Sequence, residues 1–193
     1  MATIIFGLAE KARLPRLTER HDDTKVMGAF AFVNGLLSIG IMSACAHATG
    51  QPFIFPSLGP TAFLFFYTPM LPAASPRNTI LGHAVGAGAG YLSLVLFGLT
   101  DAAPALATEV TGARIGAAAL SLALTSGVMV WGRVPHPPAG ATTLIVSLGI
   151  LREPDQILVL MLAVVLLTAQ AYVINHLAGL DYPRWATISD PSS

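Results

Sequence analysis

Four stretches of the chain are apolar for long enough to span a bilayer: about 26–48, 79–99, 113–132 and 156–178. A hydrocarbon core some 30 Å thick takes roughly 20 helical residues, and each stretch supplies them with at most one formal charge. Two shorter apolar stretches lie between them, at 53–71 (FIFPSLGPTAFLFFYTPML) and 134–151 (VPHPPAGATTLIVSLGIL). Pro and Gly interrupt both, so neither can be one continuous helix.

The two broken stretches match each other at an offset of 81 residues: Pro56 with Pro137, Gly59 with Gly140 and Thr61 with Thr142. Each follows one long apolar segment and precedes another. The pattern predicts an all-α polytopic membrane protein of two repeats, each a long helix, a short broken helix and a second long helix. The expected divisions are an arm over 1–25, a first repeat over 26–99, a connecting loop over 100–112, a second repeat over 113–178 and a tail over 179–193. If the short segments cross the bilayer the repeats are inverted; if they re-enter, the repeats run parallel. Positive charge favours the inverted arrangement. With Lys11 to Lys25 on the cytoplasmic side, crossing segments also place Arg77, Arg133 and Arg184 there, and Asp101 and Glu109 opposite.

Composition removes the aqueous alternatives. Of 193 residues, 54% are hydrophobic and 10% charged, with mean hydropathy +0.69; soluble domains carry about 25% charged residues. Nine of the twenty charges fall in residues 1–25 and only eight in the 155 residues between 26 and 180. The expected setting is therefore a cell's inner (plasma) membrane, crossed several times, with the N-terminus cytoplasmic. The zero net charge argues against nucleic acid, which needs a basic surface. The lone Cys45 reads as packing.

Paired, broken segments in the two halves of a membrane protein point to a binding site between repeats. A helix that starts within the membrane turns its unsatisfied N–H groups and positive dipole end inward, which suits an anion. Backbone donors at 57–61 and 138–142, hydroxyls of Ser57, Thr61, Thr142 and Thr143, and close backbone approach at Gly59 and Gly140 form the candidate site. Between Lys25 and Asp101 the only formal charge is Arg77, in the Ser-Pro-Arg-Asn sequence with Asn78, and no acid there can pair with it. Arg77 is therefore the expected countercharge, and His83 and His136 the groups that orient an anion or carry a proton. Thr79, His83, Gly86 and Gly90 share one helix face, which equally suits close helix packing. Arg114 and Arg152, at segment ends, are expected to snorkel to the head groups.

Catalytic motifs such as CxxC, HExxH, a phosphate-binding loop or GxSxG do not occur. No enzyme activity, metal or cofactor is expected. The alternative to transport is a membrane interaction subunit packed through Gly82, Gly86 and Gly90 with Gly112 and Gly116.

His136-Pro137-Pro138-Ala139-Gly140-Ala141-Thr142, Ser75-Pro76-Arg77-Asn78 with Gly82-His83, and Pro56-Ser57-Leu58-Gly59-Pro60-Thr61 together resemble the HPP family of integral membrane proteins. That resemblance implies four membrane helices and a transporter, with nitrite or a similar small anion as substrate. Ser75 stands where members often have Gln, and Pro60 where a small residue is expected. A chain of 20.1 kDa gives little protein around a central site, so a homo-oligomer in the lipid bilayer is expected.

Overall fold

The computed structural model describes residues 13–187. Ile4, Ile5, Phe6 and Lys11 of the expected arm, and residues 188–193 of the tail, lie outside the described residues. The described chain is helical with no strand: α1 (Leu14–Arg20), α2 (Asp23–Thr49), α3 (Leu58–Tyr67), α4 (Pro76–Leu96), α5 (Gly112–Trp131), α6 (Ala139–Ser147) and α7 (Pro154–Leu177). Four of them, α2, α4, α5 and α7, are long and apolar enough to cross a membrane. All four begin one to three residues before the expected segment, because the preceding residue caps them. Asp22 accepts from the Lys25 amide, Ser75 precedes Pro76 and accepts from the Asn78 amide, Thr111 accepts from the Arg114 amide, and Glu153 and Gln156 form a capping box.

The short helices α3 and α6 start at Leu58 and Ala139, at the same offset of 81 at which their sequences match. At 10 and 9 residues each is about 15 Å long, half of a hydrocarbon core. Unlike the long helices, neither start is capped by a side chain.

Contacts between helix ends fix the chain's direction. Phe30 of α2 meets Phe66 of α3, with centroids 6.0 Å apart. Asn175 of α7 donates to the Phe65 carbonyl (3.1 Å), and the Arg77 amide of α4 to the Trp185 carbonyl (2.9 Å). The start of α2, the end of α3, the start of α4 and the end of α7 therefore share one face. On the other face Arg114 of α5 bonds the Ala103 and Ser147 carbonyls, and Arg152, before α7, bonds the Ala102 carbonyl (2.7 Å). Residues 50–67 thus return from the end of α2 to the level of its start, and residues 134–147 run oppositely.

Burial is arranged for lipid. On α2 the buried stripe is Asn34, Ser38 and Met42, while Phe32, Val33, Leu36 and Leu37 are exposed. On α5 it is Arg114, Ala117, Ser121, Thr125 and Met129. On these two helices the protein-facing stripes are mostly small or polar, with Met42 and Met129 among them, while Phe65, Phe66, Leu160 and Leu167 form a large apolar core between the helices.

The tightest contact is between α4 and α6. A Cβ on Gly86 would lie 2.6 Å from the Ala139 carbonyl oxygen, one on Gly90 2.8 Å from the Thr143 carbonyl oxygen, and one on Gly82 2.6 Å from His136 Cβ. These glycines are occupied within the chain; Gly116 likewise meets the Phe97 ring, while Gly112 has nothing within 4 Å. Because backbone cannot yield as a side-chain tip does, Gly86→Ala should destabilise the protein by about 1–3 kcal/mol. Gly88→Ala, on the same helix with nothing within 4 Å, should unfold at the parent temperature or slightly above. Thermal unfolding in detergent distinguishes the two.

Candidate functional site

The α4–α6 contact places His83, on α4, between the first turns of the two short helices. Its Nε2 lies 2.9 Å from Thr61 Oγ1 of α3, and its Nδ1 lies 2.7 Å from Thr142 Oγ1 of α6. The two threonines that match at an offset of 81 thus meet opposite edges of one imidazole ring. His136, two residues before the α6 N-cap, completes the cluster: its Nε2 is 3.1 Å from His83 Nε2 and 3.2 Å from Thr61 Oγ1. Its Nδ1 is 2.7 Å from the Ala73 carbonyl oxygen and 3.5 Å from Thr79 Oγ1. The ring centroids are 4.8 Å apart.

The partners assign the protons. A carbonyl can only accept, so His136 Nδ1–H donates to Ala73. In the neutral ring His136 Nε2 then carries a lone pair and accepts from His83 Nε2–H, which Thr61 Oγ1 also faces. His83 Nδ1 in turn accepts from the Thr142 hydroxyl. Thr61 gives its own proton to the Ser57 carbonyl at 2.9 Å. The donors form one directed chain, Thr142 to His83 to His136 to Ala73.

Thr61, Thr79, His83, His136, Thr142 and Thr143 all have 0% exposure. The junction is therefore closed and packed. A groove of about 580 Å³ lies elsewhere, between α1, α2 and α7, and is lined by residues such as Leu14, Phe30, Leu37 and Ile174. Two further buried hydroxyls at the short-helix starts, Ser57 Oγ and Thr143 Oγ1, have no hydrogen-bond partner, a costly state for a buried polar atom.

The remaining candidates fall outside the cluster. Arg77 is half-buried at the membrane face, and its Nη1 donates to the Arg133 carbonyl at 3.2 Å. Arg133 is exposed and holds a left-handed backbone, φ 52°. Asn78 is buried beside Ser75, which its amide bonds at 3.4 Å. Gly59 faces outward with nothing within 4 Å of an added Cβ, and Gly140 meets only Leu122. The amides of Ala139, Gly140, Ala141 and Thr142 bond the carbonyls of His136, Pro137 and Pro138, and the Leu58 amide bonds Phe55. The tight turn at the start of α6 therefore consumes its backbone donors, and at the start of α3 the turn consumes that of Leu58; hydroxyls bond the imidazole rings instead.

Arg114 departs from the expected snorkelling. It is 3% exposed and donates to the Ser147 carbonyl (3.1 Å) and the Ala103 carbonyl (2.9 Å). A guanidinium on the last carbonyl of α6 satisfies it and complements the negative dipole end. Asn175 serves the end of α3 in the same way. Arg152 is one-third exposed and pairs with Glu153 at 3.4 Å. Among the described residues no three His, Cys, Asp or Glu side chains converge as metal ligands.

The family description "HPP, transmembrane region" matches residues 21–183. The chain belongs to the HPP family. Two transmembrane proteins of Dictyostelium discoideum are similar to this HPP protein. One is 39% identical over 93 residues (48% of the chain, 27% of the relative), the other 35% identical over 94 residues (49% and 30%). The match thus spans less than a third of each relative's length. No solved structure matches. The HPP protein is a multi-pass membrane protein, and its His136-Pro137-Pro138 segment carries His136 into the buried cluster.

The two arginines on short-helix flanks should differ on replacement. Arg114→Met leaves the Ser147 carbonyl, the last of α6, and the Ala103 carbonyl without this donor and should cost about 1–3 kcal/mol. Arg77→Met removes a half-exposed bond and should stay within about 0.5 kcal/mol. Denaturant or thermal unfolding in detergent measures both.

Proposed function

We propose that this HPP protein transports a small inorganic or carboxylate anion, nitrite foremost, through the junction of its two broken segments. The observation that carries the reading is His83 held between Thr61 and Thr142, one hydroxyl from the first turn of each short helix. Two half-helix N-termini converging on neutral donors favour a monoanion electrostatically. Ser57 and Thr143, buried without partners, supply hydroxyls that a bound anion satisfies. Arg77 stands about 9 Å along α4 from His83, six residues at 1.5 Å each, and with Arg133, whose carbonyl it bonds, gathers anions at that face.

The closed junction is one end state. The opposed directions of α3 and α6 support reading the halves as an inverted pair, and rocking one against the other opens the cluster to each side in turn. The N-terminus lies on the cytoplasmic side of an inner membrane, where the arm's basic residues favour it. Copies associate into a homo-oligomer, for which the open Gly28 and Gly35 on α2 leave room. A non-transporting assembly subunit is the second reading, and the full burial of the cluster favours it. The use of Gly82, Gly86 and Gly90 within the chain weighs against it.

Purified protein in liposomes should take up nitrite, and the double substitution Thr61→Val, Thr142→Val should lower the rate at least tenfold. An unaltered rate in the double variant would remove the junction from the pathway. No uptake by the parent protein would favour the assembly subunit.

A further inference from the structure

The hydrogen-bond chain through the two histidines constrains what an arriving anion can bring with it. With both rings neutral, every ring nitrogen is used: His136 Nδ1–H on Ala73, His136 Nε2 on His83, and His83 Nδ1 on Thr142. The one basic site facing a second ring is the His136 Nε2 lone pair, 3.1 Å from His83 Nε2. A proton taken up there makes both facing nitrogens N–H donors, and two donors at that distance repel. Either the rings part or an acceptor comes between them.

No formal charge is on hand to take that role. The groups bonding the rings are Thr61 on α3, Thr79 on α4, Thr142 on α6 and the Ala73 carbonyl, all uncharged. On α5 the buried stripe near His136 offers Thr125 and Met129. Arg77 donates to Arg133 at the membrane face. Tyr182, beyond α7, donates to the Ala74 carbonyl, next to the acceptor of His136. Burial pushes the Tyr182 phenol up, so it stays a neutral donor there. A lone anion among these groups is an uncompensated buried charge, and so is a lone proton.

We infer that the junction takes a small monoanion and one proton together, the proton on the facing His83–His136 edge and the anion between the two N–H groups. This rests on the anion-transport reading and adds its coupling: the cycle is electroneutral. The balance is one proton onto the His136 Nε2 lone pair as the anion arrives. The same N–H bond breaks as both leave on the other side, and the histidines return to their neutral pairing. Ser57 Oγ and Thr143 Oγ1, buried and unpartnered, are further donors for an anion whose charge the proton has already cancelled.

The test uses the full-length protein in liposomes holding a pH-reporting dye, with potassium and valinomycin setting the potential and protein-free liposomes as the baseline for passive permeation. An inward nitrite gradient should acidify the lumen with one proton per nitrite, and an imposed potential should leave the protein-dependent rate within twofold. His136→Gln should lose net uptake and exchange of labelled for unlabelled nitrite alike, each at least tenfold, because a neutral side chain leaves the anion in the junction without its proton. Uptake that follows the potential and moves no proton overturns the coupling while leaving anion transport standing. His136→Gln liposomes that still acidify in step with nitrite overturn the assignment of the proton to this pair. No nitrite uptake above baseline in the parent protein overturns the anion reading itself, and the coupling with it.

Discussion

The close approach of α4 to α6 sets everything around it. Gly86 and Gly90 lie so near the Ala139 and Thr143 carbonyls that no Cβ fits, and only that spacing delivers His83 to Thr142. In hydrocarbon there is little hydrophobic force between helices, so close backbone packing and interhelical hydrogen bonds must supply the association. This interface has both. Thr61 then brings α3 to the other edge of the same ring.

Satisfying polar groups away from water explains much of the rest. The long helices carry their own caps. The far ends of the two short helices are served by side chains from long ones, Asn175 on the Phe65 carbonyl and Arg114 on the Ser147 carbonyl. Six buried side-chain polar atoms among the described residues have no partner: Ser38 Oγ, Thr68 Oγ1, Gln170 Oε1, Asn175 Oδ1, Ser57 Oγ and Thr143 Oγ1, the last two at short-helix starts.

Much of this was legible in the sequence. Runs of apolar residues located the four long helices to within three residues, and the Pro and Gly interruptions located α3 and α6. The offset of 81 between Thr61 and Thr142 anticipated two helix starts, and the helical spacing of Thr79, His83, Gly86 and Gly90 anticipated one face. The rest depended on distances that spacing does not encode. Lack of a nearby acid made Arg77 the natural countercharge, yet its side chain reaches the Arg133 carbonyl at the face. Position at a segment end suggested that Arg114 snorkels, but the end of α6 lies within its reach. The Ala73 carbonyl, which fixes the His136 tautomer, is backbone and leaves no trace in residue identity. Gly59 matched Gly140 in sequence, but in the folded chain it faces outward.

The central claim is that this closed cluster opens to both sides of the membrane in turn. The most direct measurement replaces Cys45 by Ala, introduces Thr143→Cys, and applies a membrane-impermeant thiol reagent to each face of oriented vesicles. The expected result is labelling from both faces, slowed by nitrite. A thiol that reacts from neither face, with or without nitrite, would mean that the junction is a static core and would contradict it.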